Sequence, residues 1–174
     1  MRLFLQDESK TLEAANLLSQ CLSPGLMIYL EGDLGAGKTT FCRGLMRGLG
    51  HDQTVKSPTF TVVEPYQLSG FDIYHCDLYR LSDPEELDYM GFEDYVHDRS
   101  ICLVEWPDKG KGVLNPADVL LSMTAEKGEQ RVLDVMARSA AGKEVLDQFA
   151  ALVAPRWDQS RGTLVAIKPF DRPL

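Results

Sequence analysis

The chain contains no apolar run of about 18 residues or more, which excludes a membrane-spanning helix of ordinary length. It has no CxxC pair. Cys21, Cys42, Cys76 and Cys102 stand far apart and read as reduced, mostly buried thiols, not as a zinc site or a disulfide frame. It is short of positive charge: 18 Lys and Arg face 26 Asp and Glu, a formal net charge of −8. That balance opposes long-range attraction to nucleic acid, whose phosphates are gripped by Lys and Arg, and favours a nucleotide or protein partner. There is no internal repeat and no low-complexity tract. The [NT]-K-x-D segment with which guanine readers work is also missing, which disfavours a GTPase. The N-terminus turns acidic at Asp7-Glu8, too soon for a secretory signal, so the expected location is cytoplasmic, without membrane contact.

What is present is sharper. Gly32-Asp33-Leu34-Gly35-Ala36-Gly37-Lys38-Thr39 fits G-x-x-x-x-G-K-[ST], the phosphate-cradling P-loop or Walker A motif. The apolar run 26–30 reads as the buried strand before it, and 40–49 has helical spacing after it. Glycines let main-chain N–H groups point at a polyphosphate, and the helix start adds its positive end. Gly35, Ala36, Gly37, Lys38, Thr39 and Thr40 are therefore the expected nucleotide-binding residues. Lys38 reaches the outer phosphates, and the Thr39 hydroxyl is a ligand for Mg2+.

With 174 residues, 44% apolar and 25% charged, the chain is long enough for one cored domain. We place a P-loop ATPase domain at 1–153 and a C-terminal tail at 154–174, whose segment 164–167 reads as a short strand or docking segment. The pattern predicts a helix over 9–22, capped by Ser9 or Thr11. It predicts strands at 59–68 and 71–78, joined at Ser69-Gly70 as an inserted hairpin. Asp83-Pro84-Glu85-Glu86 is a helix start of capping-box spacing running to Met90. A buried strand at 101–105, an antiparallel pair at 119–125 and 131–137, and a helix at 143–153 complete the reading. The fold class is α/β: a single-domain P-loop NTPase with a central mixed sheet and flanking helices.

Two of these strands end in acids. Glu105 follows four apolar residues, as in a Walker B strand, although Asp is commoner there; it is the expected partner of Thr39 on the metal. Asp77 is the expected catalytic acid, orienting or deprotonating a water, and its alternative is a cap or salt bridge. Ser57 and Thr59 lie in a polar loop where nucleotide-sensing switches sit. His75 shares a strand face with Asp77 and is read as a supporting residue. Arg80 either steadies transition-state charge or pairs with Glu85 or Glu86. Trp106 is either a lid over the site or a half-buried aromatic.

In order along the chain, the P-loop, Lys56-Ser57-Pro58-Thr59-Phe60, His75-Cys76-Asp77-Leu78-Tyr79-Arg80, Asp83-Pro84-Glu85-Glu86-Leu87 and Val104-Glu105-Trp106 closely resemble the bacterial TsaE (YjeE) family over roughly residues 7 to 150. The resemblance implies a small ATPase that binds ATP with Mg2+ and is required for threonylcarbamoyladenosine modification of ANN-decoding tRNA. It implies metal ligands at Thr39 and Glu105, a required acid at Asp77 and a Trp near the nucleotide at Trp106. It also implies the protein partners TsaD and TsaB, whose complex makes the transfer that ATP hydrolysis resets, with tRNA contacted only indirectly. The competing readings are a small-molecule kinase of the same fold and a nucleotide-binding adaptor of negligible turnover. The kinase is disfavoured because Lys109 and Lys111, and no Arg cluster, follow Glu105.

Overall fold

The computed structural model describes residues 1–157 apart from Lys56 and Ser69. The tail segment 164–167 and part of the 69–70 turn therefore lie outside the described residues. Seven strands form one sheet in the order β1-β7-β6-β2-β5-β4-β3. They are β1 (Arg2–Leu5), β2 (Leu26–Glu31), β3 (Val63–Gln67), β4 (Asp72–Asp77), β5 (Ser100–Glu105), β6 (Val119–Ala125) and β7 (Arg131–Ala137). β6, β2, β5 and β4 run parallel side by side, while β3, β7 and β1 pair antiparallel to their neighbours. Parallel strands are covered on both faces, which is why β5 (Ser-Ile-Cys-Leu-Val-Glu) is buried along its whole length.

Alternation divides the core in two. Ile28, Leu30, Ile101, Leu103 and Leu121 point to one face, beneath α1 (Glu8–Ser19), α2 (Lys38–Gly48) and α4 (Ala140–Val153). Met27, Cys76, Cys102 and Val104 point to the other, beneath Leu78, Leu81, α3 (Glu86–Tyr89) and the 3-10 turn Phe92–Tyr95. α1 and α2 lie close because small residues meet there: a Cβ at Gly44 would stand 2.6 Å from the Ala15 methyl. No helix among the described residues is long and apolar enough to cross a membrane.

Several boundaries differ from the sequence reading, each for a local reason. The first helix is capped by Asp7, whose Oδ1 accepts from the Lys10 amide at 2.9 Å, so neither Ser9 nor Thr11 is the cap. β3 begins at Val63, not at 59, because residues 59–61 turn and Val62 adopts a positive φ of 66°. The last helix starts three residues early, at Ala140, under a Ser139 cap. The capping box at Asp83 is only half formed: Glu86 Oε1 accepts from Asp83 N at 2.9 Å, but Asp83 Oδ1 accepts from Glu85 N at 3.0 Å, and the residue before the regular helix is Glu85. Its regular helix is short, Glu86–Tyr89. β1 has no counterpart in the sequence reading. Trp157, to which the sequence assigns nothing, is buried and donates from Nε1 to the Phe4 carbonyl at 3.1 Å, tying the end of the described chain to β1.

Candidate functional site

The parallel strands deliver their C-terminal ends to one edge of the sheet, the place where open α/β sheets bind ligands. β2 runs into the glycine loop, β4 ends at Asp77 and β5 ends at Glu105; in the β4–β5 register Asp77 lies opposite Glu105. A cavity of about 480 Å³ opens there. Gly35, Gly37, Lys38, Thr39 and Thr40 form its floor. Ser57, Thr59, Asp77, Arg80, Glu105 and Trp106 line the rest, together with Leu34 and Tyr79, which the sequence reading left without a role. Of the expected site residues only two are off the wall. Ala36 is buried under the loop, and His75 is buried behind Glu105.

The loop conformation is set by its glycines. Gly37, the residue before α2, has φ 104°, a left-handed value that a side chain would resist. Gly32 has φ 138°, and a Cβ there would overlap the Met123 carbonyl of β6. The loop is thus laid directly on the neighbouring strand.

Lys38 is buried, with its ammonium donating to the carbonyls of Gly32 at 2.7 Å and Asp33 at 2.9 Å. Trp106 covers it: Nζ lies 4.0 Å from the ring centroid, a cation–π contact. Trp106 reaches this place because it leaves β5 with φ 58°, a left-handed conformation uncommon for a large residue. Its ring also meets that of Tyr79 at 5.1 Å. Burial lowers the Lys38 pKa, opposed by the charges of Glu105 and Asp77. An anionic ligand would oppose that lowering further, so the site holds a cation ready for negative charge.

The Thr39 hydroxyl donates to both oxygens of Glu105, at 3.0 and 3.1 Å. That carboxylate is also held by His75, whose Nε2 is 2.9 Å from Oε1 with both side chains buried. His75 Nδ1 has no hydrogen-bond partner among the described residues. A hydroxyl and a fixed carboxylate at the foot of a phosphate-type loop are oxygen donors of the kind Mg2+ prefers. Cys42 lies near His75 and Glu105; burial pushes its thiol well up, and sulfur is a softer donor than the oxygens Mg2+ prefers.

Asp77 is engaged by the polar loop. Its Oδ2 accepts from Thr59 Oγ1 at 2.6 Å and, at 3.5 Å, from Ser57 Oγ; its Oδ1 accepts from the Tyr79 amide at 3.1 Å. The Arg80 guanidinium sits 4.5 Å over the Phe60 ring, and among the described residues it forms no ion pair with Glu85 or Glu86.

A further residue that the sequence reading missed, Arg131 at the start of β7, donates to the loop carbonyls of Ala36 at 3.1 Å and Gly35 at 3.4 Å. It also walls a second cavity of about 200 Å³ that borders Gly37 and Thr40, with Glu8, Thr11 and Glu129. No motif announces it, since its partners lie far away in sequence.

Comparison with known proteins agrees with this geometry. A family profile described as "Threonylcarbamoyl adenosine biosynthesis protein TsaE" matches residues 5–133. A Haemophilus influenzae protein named "tRNA threonylcarbamoyladenosine biosynthesis protein TsaE" is 48% identical over 134 residues, covering 77% of this chain and 84% of the relative. A Rickettsia felis protein of the same name is 38% identical over 139 residues, covering 79% and 81%. The crystal structure of Bacillus subtilis YdiB superposes with a TM-score of 0.75 at 27% identity, over 87% of this chain and 94% of that one. The glycine loop between β2 and α2, the acid-tipped strands β4 and β5 and these relatives agree: the chain belongs to the TsaE family of threonylcarbamoyladenosine biosynthesis proteins.

Proposed function

We propose that this chain is a Mg2+-dependent ATPase acting in threonylcarbamoyladenosine modification of ANN-decoding tRNA, in the cytoplasm, in support of a TsaD–TsaB transferase complex. The observation that carries the reading is the convergence of a buried lysine, a glycine loop and the Thr39–Glu105 pair on one cavity. The polyphosphate lies along the loop amides with Lys38 at its outer end. The nucleoside end occupies the smaller cavity beside Thr40, between the start of α1 and the β6–β7 turn. Thr39 and Glu105 hold Mg2+, which supplies charge neutralisation to the polyphosphate.

Several further side chains have a task in hydrolysis. Asp77 accepts a hydrogen bond from the attacking water and aims it at the terminal phosphorus. In the structure Thr59 and Ser57 occupy that carboxylate. Arrival of a terminal phosphate gives the two hydroxyls a new acceptor and frees Asp77 for water. The loop 57–61 thereby reports whether the third phosphate is present, and Phe60, exposed at its tip, offers the partner a surface that changes with it. His75 holds Glu105 in place from behind.

The test is reconstitution. Phosphate release is measured on the full chain alone and with TsaD, TsaB and tRNA, alongside multiple-turnover tRNA modification. The reading expects slow release alone, faster release with the partners, and modification that stalls when this chain is omitted. Modification at the same multiple-turnover rate without it would refute the reading.

A further inference from the structure

We propose that Arg131 is a positioning residue that sets the main chain of the glycine loop for polyphosphate. This rests on the reading of that loop as the polyphosphate site. The argument begins with peptide geometry. All peptide bonds of the described chain are trans, so each carbonyl points opposite to the N–H of the next residue. Arg131 Nε donates to the Ala36 carbonyl at 3.1 Å, and Arg131 lines the smaller cavity, not the large one. The Gly37 N–H of the same peptide plane is therefore turned away from Arg131, and Gly37 also lines the large cavity. Among the described residues that amide has no acceptor within the protein. The neighbouring Ala36 amide is already used on the Asp33 carbonyl at 3.1 Å. Holding the Ala36 carbonyl thus fixes one of the amide donors left for a ligand.

The rest of the guanidinium explains why an arginine does this. Nη2 reaches the Gly35 carbonyl at 3.4 Å, while Nη1 donates to Gly128 O at 3.3 Å and Gln130 O at 2.8 Å in its own hairpin turn. One planar fork therefore ties the β6–β7 turn to two successive carbonyls of the loop, which a point-charged ammonium cannot do at once. All its partners are carbonyls. Among the described residues it has no ion pair, although Glu8 and Glu129 share the smaller cavity with it. The anchor is firm, because Arg131 pairs with Leu5 of β1 and Ala125 of β6.

The experiment uses the full chain with Arg131→Met and Arg131→Lys, and two probes with Mg2+: ATP and inorganic tripolyphosphate. Affinities come from calorimetry, protection of the Gly37 amide from hydrogen exchange, and fold integrity from the ligand-free melting midpoint. Loss of a charge-assisted hydrogen bond predicts about 10-fold weaker binding of both probes, by the same factor, in Arg131→Met. Arg131→Lys recovers only part of it. With probe bound, exchange at Gly37 is faster in both variants than in the wild type, while β6 and β7 stay protected. Unchanged tripolyphosphate binding overturns the proposal. So does loss confined to ATP, which would assign Arg131 to the nucleoside, and so does full recovery by lysine. If Arg131→Met does not fold, the lysine variant alone decides, by the same criteria. If the wild-type chain binds neither probe, the nucleotide reading beneath fails instead, and that outcome is separate from any result with the variants.

Discussion

Asp77 and Glu105 face each other across parallel strands, yet their carboxylates are held by different parts of the chain. Thr59 donates to Asp77 at 2.6 Å, from the loop after α2, and Thr39 donates to Glu105 at 3.0 Å, from the helix itself. In the proposed mechanism the two acids therefore serve two tasks: Glu105 acts with the helix that follows the glycine loop, Asp77 with the polar loop after α2.

The first acid is tested by Glu105→Gln. The amide keeps the shape and can still pair with Thr39 and His75, so the melting midpoint should move by only a few degrees. Mg2+ enhancement of nucleotide binding should fall about 10-fold or more, read by titrating Mg2+ in a calorimetric ATP assay. Undiminished Mg2+ enhancement would remove Glu105 from the metal site.

The second acid separates binding from turnover. Asp77→Asn should bind ATP within about threefold of the wild type, since it touches neither the glycine loop nor Lys38. Phosphate release with partners present should drop about 100-fold or more, the usual scale for a lost water-orienting group. Binding and turnover falling together would place Asp77 in ligand binding instead.

His75 should matter only through Glu105. His75→Gln is predicted to weaken Mg2+ enhancement of ATP binding about 10-fold, as losses of a partner behind a metal ligand commonly do. ATP affinity without Mg2+ should stay near the wild-type value. An equal loss with and without the metal would point to general disruption of the buried cluster.

The α1–α2 contact gives a test of stability away from the chemistry. A methyl at Gly48 would overlap the Ser19 hydroxyl, and Ser19 is itself buried. Gly48→Val should therefore cost about 1–3 kcal/mol, read as a lower chemical-denaturation midpoint. An unchanged midpoint would mean that the helices separate at little cost.

The loop, Asp77 and Glu105 were legible in the sequence because local spacing carries them: glycines at fixed offsets, then two apolar strands tipped with acids. Other parts depend on distant partners and leave no local mark. β1 is four residues long with Phe4 facing outward, and it is a strand only because β7 pairs with it. Arg131 looks like any charged strand residue until the hairpin is folded against the glycine loop. The run Thr59-Phe60-Thr61-Val62 has the composition of a strand, yet it turns, with Thr59 bonded to Asp77 and Val62 left-handed. Asp7 carries no local mark as the cap, since Ser9 and Thr11 offer capping hydroxyls nearer the apolar pattern.

The central claim is that a nucleoside triphosphate sits on this loop with a divalent ion at Thr39 and Glu105. Its most direct test is calorimetric titration of ATP into the wild-type chain and Lys38→Ala, each with and without Mg2+. The account predicts saturable binding to the wild type, tightened by Mg2+ and weakened about 10-fold or more by the substitution. A well-folded wild-type chain that takes up no ATP under any of these conditions, or one that binds it equally well without Lys38, would contradict it.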